Sequence, residues 1–354
     1  MSEGRNKFKS DWESFACWVK KDREKKKESD KSSMWRGLIE CFGIRDYPSN
    51  HAVIFEENVL RSYNLLSKSQ ETLGFKMKKS VLSISYALAR AASYFRNRVW
   101  RINSAGLGSG HLIHHPAGLR WLREVGVYAD YEKFCNSFQM SLNSGNSIKS
   151  FYLSSVIARN ISGIQSPRIL EIGGGAGNLA AMIYFKHRPS CYLIIDLPEM
   201  LLHSSLTLKA LYPDVPAHFV YAPSEVASLQ EGGFYFLTPD CVAGLTPDSF
   251  DFAINIDSFQ EMTENQVAQY IRLVQAVVKQ DGYFLNMNRR KYLEEEHFDN
   301  NPLLYPYDRR NHIVRWETDL FMAKVYNFNQ VRTDGWMLRL EQVRKNSESV
   351  LHFH

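Results

Sequence analysis

The apolar positions of this chain keep helical spacing over its first part and break into short runs over its second. Trp12, Phe15, Ala16 and Val19 fall three and four residues apart, which predicts a helix. The charged run KKDREKKKESDKSS follows it, and residues 1–36 read as a solvated helix or a loose charged arm. Residues 51–160 read as mainly helical, with SVLSISYALARAASYFRNRVW, GLRWLREVG and FYLSSVIARNI as the clearest segments. Among them SAGLGSGHLIHHP, rich in Gly and Ser and closed by Pro116, has the composition of a loop.

After Pro167 short apolar runs alternate with helical stretches. Strands are expected at Arg168–Ile172, Tyr192–Ile195, Phe234–Leu237, Phe252–Ile256 and Tyr283–Leu285. Helices are expected at Asn178–Arg188 and Leu201–Leu211. A third should begin at the capping box Thr263-Glu264-Asn265-Gln266 and carry the stripe Val267, Tyr270, Ile271, Val274 and Val278 until Asp281-Gly282 stops it. Near the end, AKVYNF and GWMLRLEQV look like two strands of a hairpin. Alternating strands and helices imply a mainly parallel, doubly wound α/β sheet of Rossmann-like type. The expected organisation is a helical domain over residues 1–160 and a ligand-binding α/β domain over 161–354.

Composition narrows the class. The 354 residues are 44% hydrophobic and 23% charged with a net charge of +5, which fits a soluble globular protein and is too weakly basic to suggest nucleic acid. No apolar run is long enough to cross a bilayer, and the first residues lack a signal-peptide core, so a cytoplasmic location is the expectation. Five cysteines without CxxC spacing argue against a disulfide framework and structural zinc.

The chemistry gathers around RILEIGGGAGNLAAMIYFKHRPSCYLIIDLPEM. Glu171 closes one strand, Gly173, Gly174, Gly175 and Gly177 follow it, and Asp196 closes the next. In doubly wound sheets ligands bind at the carboxyl ends of the strands. Glycines there let the backbone approach a ligand that side chains would displace. GAGNLA matches the dinucleotide pattern G-x-G-x-x-A, so a NAD-dependent oxidoreductase is one reading. Against it, Glu171 would face the phosphates. A cationic ligand without phosphates suits two acids better.

EIGGGAG fits the E/D-x-G-x-G-x-G motif and resembles class I S-adenosylmethionine-dependent methyltransferases. YLIIDLPEML and INIDSFQEM narrow the resemblance to the sugar O-methyltransferases of polysaccharide and natural-product clusters, over roughly Arg168 to Arg290. The resemblance implies S-adenosylmethionine as cofactor. It puts Gly173 and Gly175 against the methionine part, with Gly174 and Gly177 in the same loop and Glu171 acting on the amino end. Asp196 would take the ribose, Thr238 would stand near adenine, and Leu197, Asn255 and Ile256 would be further cofactor-binding residues.

The acceptor is expected to be a sugar or glycosylated small molecule, its hydroxyl held in line and relieved of a proton. Asp257 and Glu261 are the candidates for base, metal ligand or sugar clamp, and Gln260 for a hydrogen bond to a sugar hydroxyl. A divalent metal on a diol is an alternative. His297 and His312 lie after the fifth strand and are further candidate bases; His111, His114 and His115 cluster in the earlier loop. Tyr305, Tyr307 and Trp316 are candidates for stacking on a sugar, and Arg289 and Arg309 for holding an anionic group. Other readings are methylation of a different hydroxyl or an amine, and a catalytically silent subunit that keeps the fold. A homodimer is among the expected states.

Overall fold

The computed structural model describes residues 2–25, 115–138, 145–230, 232–290, 301–326 and 335–345. Its centre is an eight-stranded sheet formed by β1 (Arg168–Ile172), β2 (Cys191–Ile195), β3 (Ala217–Val220), β4 (Gly233–Leu237), β5 (Phe250–Ile256), β6 (Val278–Arg289), β7 (His312–Thr318) and β8 (Trp336–Gln342). The spatial order is β3-β4-β2-β1-β5-β6-β8-β7. Strands β1 to β6 run parallel, and β8 is antiparallel to both its neighbours. The chain builds outward from β1 in one direction and from β5 in the other. The switch point of this doubly wound, Rossmann-like sheet therefore lies between the carboxyl ends of β1 and β5.

The central strands are short runs of Ile, Leu, Phe and Tyr because both faces are covered. Alternate side chains divide between two cores. Ile169, Tyr192, Ile194, Phe234, Phe252 and Ile254 face one, and Leu170, Ile172, Leu193, Ile195, Tyr235 and Ala253 face the other. The first core is closed by α4 (Gly145–Ile161), α5 (Asn178–His187) and α6 (Pro198–Leu211), with α2 (His115–Glu124) and α3 (Tyr128–Ser137) outside them. The second is closed by α7 (Glu264–Val277). The Thr263 capping box forms as the sequence predicts, Gln266 N–H donating to the Thr263 hydroxyl and the Gln266 carbonyl accepting from Thr263 N–H.

Helix α1 (Ser2–Lys25) packs on β3 and α6, with Trp12, Phe15 and Val19 buried. Phe15 stacks on Phe219 with centroids 4.7 Å apart, and Trp18 lies 5.2 Å from Tyr221. Each such ring taken out of water stabilises the docking by about 1.5–3 kcal/mol. Within Ser2–Lys25, the segment read as a loose arm thus lies against the sheet's edge. The rest of its charged run, the 51–114 helices and the histidines 111 and 114 lie outside the described residues.

Three local expectations are corrected. Met322–Tyr326 of AKVYNF is a π-helical turn, not a strand. Phe321, Met322 and Val325 are buried at helical spacing, and the Asp319 carboxylate accepts from Met322 N–H at 2.9 Å. The hairpin partner of β8 is instead β7, from the polar segment thought to face an acceptor. Val278 belongs to β6, and Asp281, at φ 64°, marks an irregularity inside that strand.

Candidate cofactor and acceptor site

The glycine loop sits at the switch point. Gly173 N–H donates to Ile195 O at 2.8 Å, which ties the loop's entry to the end of β2. Gly173, Gly175 and Gly177 have φ of 77°, 54° and 78°, conformations that cost a side-chain-bearing residue about 1–2 kcal/mol. Their surroundings differ. A Cβ on Gly173 would fall 2.2 Å from Ser258 Oγ, so the loop and the segment that follows β5 are in direct contact there. A Cβ on Gly174 would meet Ile194 Cγ2 at 2.7 Å and Glu171 Oε2 at 3.3 Å. A Cβ on Gly175 would meet nothing within 4 Å. Gly177 caps α5, whose first N–H groups present the positive end of the helix dipole to the loop.

Two acids bracket this loop. Glu171 is buried beneath it and accepts a hydrogen bond from the Tyr192 hydroxyl at 2.8 Å. Burial pushes its carboxyl up to about 7, helped by the charge of Asp196 and opposed by the Tyr192 hydroxyl. Asp196 accepts from Gly175 N–H at 2.8 Å and from Leu197 N–H at 2.7 Å. Burial also pushes it up to about 7, against those two N–H groups. Each Asp196 oxygen takes one hydrogen bond and keeps a lone pair for a ligand hydroxyl. Two carboxyls this close to the loop suit a cation better than a pyrophosphate.

Asn255, expected to touch the cofactor, is a lock on the switch point. It is fully buried, its amide donates to Ile172 O at 2.9 Å, and its carbonyl accepts from Asn288 Nδ2 at 2.8 Å and Phe259 N–H at 3.3 Å. Gln260, expected to meet a sugar hydroxyl or water, is buried instead, and its carbonyl accepts from Arg289 N–H at 2.9 Å. Ile256 is half-buried at the end of β5. Thr238 is buried at the end of β4 with its hydroxyl 3.4 Å from Cys241 Sγ, facing protein rather than an open crevice.

Asp257 stands beyond β5 with φ 58°. Its Oδ2 accepts from Lys149 Nζ of α4 at 2.6 Å, and its Oδ1 accepts from the indole N–H of Trp336 at the start of β8. Burial opposes its charge, but Lys149, Trp336 and the nearby Arg289 together hold the carboxyl below the usual carboxylate range. Such a group keeps its anion and takes up a proton poorly. Arg289 stacks on the Trp336 ring at 4.4 Å. Glu261 is half-buried at the end of the turn Phe259–Glu261.

His312 is a correction. It opens β7 and pairs with Gln342, which pairs with Tyr283, midway along β6 and six residues short of its carboxyl end. Strand β7 runs parallel to β6, so its first residue lies about 20 Å from its crevice end at 3.3 Å per residue. His297 lies outside the described residues. Tyr305 and Tyr307 pack on the second core, with Tyr305 5.9 Å from Phe259, so they build the sheet's flank rather than an open stacking surface. Trp316 is exposed on β7 and packs on Arg339 at 4.6 Å. Arg309 is exposed. Lys149 and Trp336 carried no sequence signal for the site; a lysine in a helix and a tryptophan in a strand are ordinary until the fold joins them to Asp257. Among the described residues no group of three or more His, Cys, Asp or Glu is arranged to hold a metal, and no helix is long and apolar enough to cross a membrane.

No family model matches the chain, and no curated protein matches it. Solved structures do. The [4+2]-cyclase SpnF is 13% identical over 59% of this chain and 85% of its own, with a TM-score of 0.38. PH0226 from Pyrococcus horikoshii OT3 is 12% identical over 64% of this chain and 99% of its own, at 0.36. The methyltransferase domain of bacterial CtHen1-CN is 11% identical over 55% of this chain and 99% of its own, also at 0.36. Likenesses of this size leave the chemistry to be read from the site's own residues.

Proposed function

We propose that this chain is an S-adenosylmethionine-dependent methyltransferase that methylates a hydroxyl of a sugar or glycosylated small molecule. The observation that carries the reading is the glycine loop at the switch point, open at Gly175 and bracketed by the buried Glu171 and the half-buried Asp196, both with carboxyls pushed up to about 7. A nucleoside that brings an ammonium and a ribose diol would satisfy both acids. Asp196 would accept the diol, the loop and the first turn of α5 would receive the methionine carboxylate, and Glu171 would act on the ammonium from beneath the loop. When bound, the cofactor supplies an electrophilic methyl group.

The chain's own part is to hold and orient. Ser258 and Asp257 stand where the loop meets the acceptor side. Held ionised by Lys149 and Trp336, Asp257 orients an acceptor hydroxyl through its remaining lone pairs. Taking the hydroxyl proton falls to Glu261, whose carboxyl stands at the end of the same segment. The buried Asn255–Asn288 pair fixes the floor, so that acceptor and methyl group meet with little reorganisation.

The test is calorimetric titration with S-adenosylmethionine and with NAD, followed by a screen of sugars and glycosides with isotope-labelled methyl donor read by mass. The reading expects binding of the first ligand, none of the second, and label on a sugar oxygen. Binding of NAD alone would overturn the cofactor assignment; label only on an amine would overturn the acceptor class.

A further inference from the structure

The five exposed large apolar side chains among the described residues fall in one stretch: Leu304, Ile313, Val314, Trp316 and Leu320. Three of them are on β7, the edge strand, which pairs with β8 alone among the described residues. Every β7 residue except Arg315 is exposed. Soluble proteins guard edge strands against pairing with charge, proline or short length. This one is seven residues long, has no proline, and carries Ile, Val and Trp beside the two charges of HIVRWET.

Its two charges are placed one on each side of Trp316. Arg315 and Glu317 bond to each other within the strand, through Arg315 Nε to Glu317 Oε1 at 2.7 Å. The register with β8 shifts between Ile313 and Arg315, so the regular part of the edge runs from Arg315 to Thr318. An antiparallel copy of this strand centred on Trp316 would set Trp316 opposite Trp316 and Arg315 opposite Glu317 on both sides. Opposite charges directly across a strand pair stabilise it and like charges destabilise it. Other registers lose this match, because a shift of one pair sets Arg315 against Arg315 or Glu317 against Glu317.

We infer that β7 is a dimerisation edge, pairing with β7 of a second copy of this chain in an antiparallel register about Trp316 and joining the two eight-stranded sheets into one. The inference is independent of the methyl-transfer reading. The surface is isologous, as a twofold dimer requires. Leu320, two residues past the strand, adds apolar area to an interface that two strands alone would leave small.

The test uses two single variants of the full chain, Arg315→Glu and Glu317→Arg, with molar mass measured by light scattering at tens of micromolar and folding checked by circular dichroism. The wild type is expected to be a dimer and each variant alone a monomer, because each sets like charges across the twofold axis. An equimolar mixture of the two should regain the dimer, since an edge with two acids then faces an edge with two bases. Restoring an ion pair inside one chain cannot produce that result. A second arm covers the case of a variant that does not fold. In Trp316→Cys the two thiols would stand opposite each other with Cα atoms about 4.5–5.5 Å apart, within disulfide reach. Oxidation should therefore convert this variant to a covalent dimer well beyond the wild-type control, which has the exposed Cys17. A monomeric wild type, a dimer indifferent to either charge change, a mixture that stays monomeric, or no Trp316→Cys crosslink would overturn the inference.

Discussion

Replacing Gly173 and Gly175 separately by alanine should damage the protein in different ways, although both sit in one motif with positive φ. At either position the left-handed backbone costs alanine about 1–2 kcal/mol. At Gly173 the new methyl would also fall 2.2 Å from Ser258 Oγ and 2.3 Å from Ser258 Cβ. Overpacking of that kind adds about 1–3 kcal/mol. The expected losses are then about 2–5 kcal/mol for Gly173→Ala and about 1–2 kcal/mol for Gly175→Ala. Thermal and urea unfolding of the free chain would measure both. Ser258→Gly removes both clashing atoms, so added to Gly173→Ala it should recover the steric part and leave the backbone part; Ser258→Ala keeps Cβ and should recover little. Binding of S-adenosylhomocysteine should follow the opposite order relative to stability. The Gly175 methyl enters open space beside the acids, where the ligand would lie, so Gly175→Ala should lose affinity out of proportion to its small stability cost. If Gly175→Ala bound the ligand as the wild type does, or if Ser258→Gly failed to rescue Gly173→Ala, the assignment of these two glycines would be wrong.

Asp196→Asn should weaken S-adenosylhomocysteine binding by about 1.5–3 kcal/mol, the worth of hydrogen bonds to a charged group, in a calorimetric titration; an unchanged affinity removes Asp196 from the ribose. Glu171 and Asp196 are both pushed up to about 7, from ordinary values near 4. The folded chain therefore holds more protons than the unfolded chain between those values, and the free protein should lose stability as pH rises from about 4 to about 7 and level off above. Affinity for S-adenosylmethionine should rise over the same interval, because its ammonium favours the ionised acids; melting temperatures with and without ligand across pH would show both trends, and Glu171→Gln should flatten them. Lys149→Met should destabilise the chain by about 1.5–3 kcal/mol, the worth of a hydrogen bond to a charged group, by leaving the half-buried Asp257 without its cation, and Lys149→Met with Asp257→Asn should cost less than the two changes summed, as denaturant midpoints would report.

The legible part of this fold was the part written locally. Burial on both faces makes a central strand a short apolar run, so β1, β2, β4 and β5 were readable within a residue or two, and the Thr263 capping box announced α7. The glycine loop and its two acids were readable because their residue types have few other uses together. What stayed hidden depends on tertiary context. Met322–Tyr326 has the composition of a strand, but Asp319 caps it into a helical turn. The strand that completes the hairpin with β8 looked like a polar loop because an edge strand need not be apolar. His312 was a reasonable base until chain direction put it at the amino end of β7, away from the crevice. Asn255 and Gln260 sit where ligand contacts are expected, yet their partners are backbone groups and, for Asn255, the Asn288 side chain, which only the folded chain supplies.

The most direct measurement of the central claim is a calorimetric titration of S-adenosylmethionine into the full chain and into Asp196→Asn. One site per chain, at least tenfold weaker in the variant, is the result the account predicts. No heat from the wild type, or the same affinity in both proteins, would contradict it.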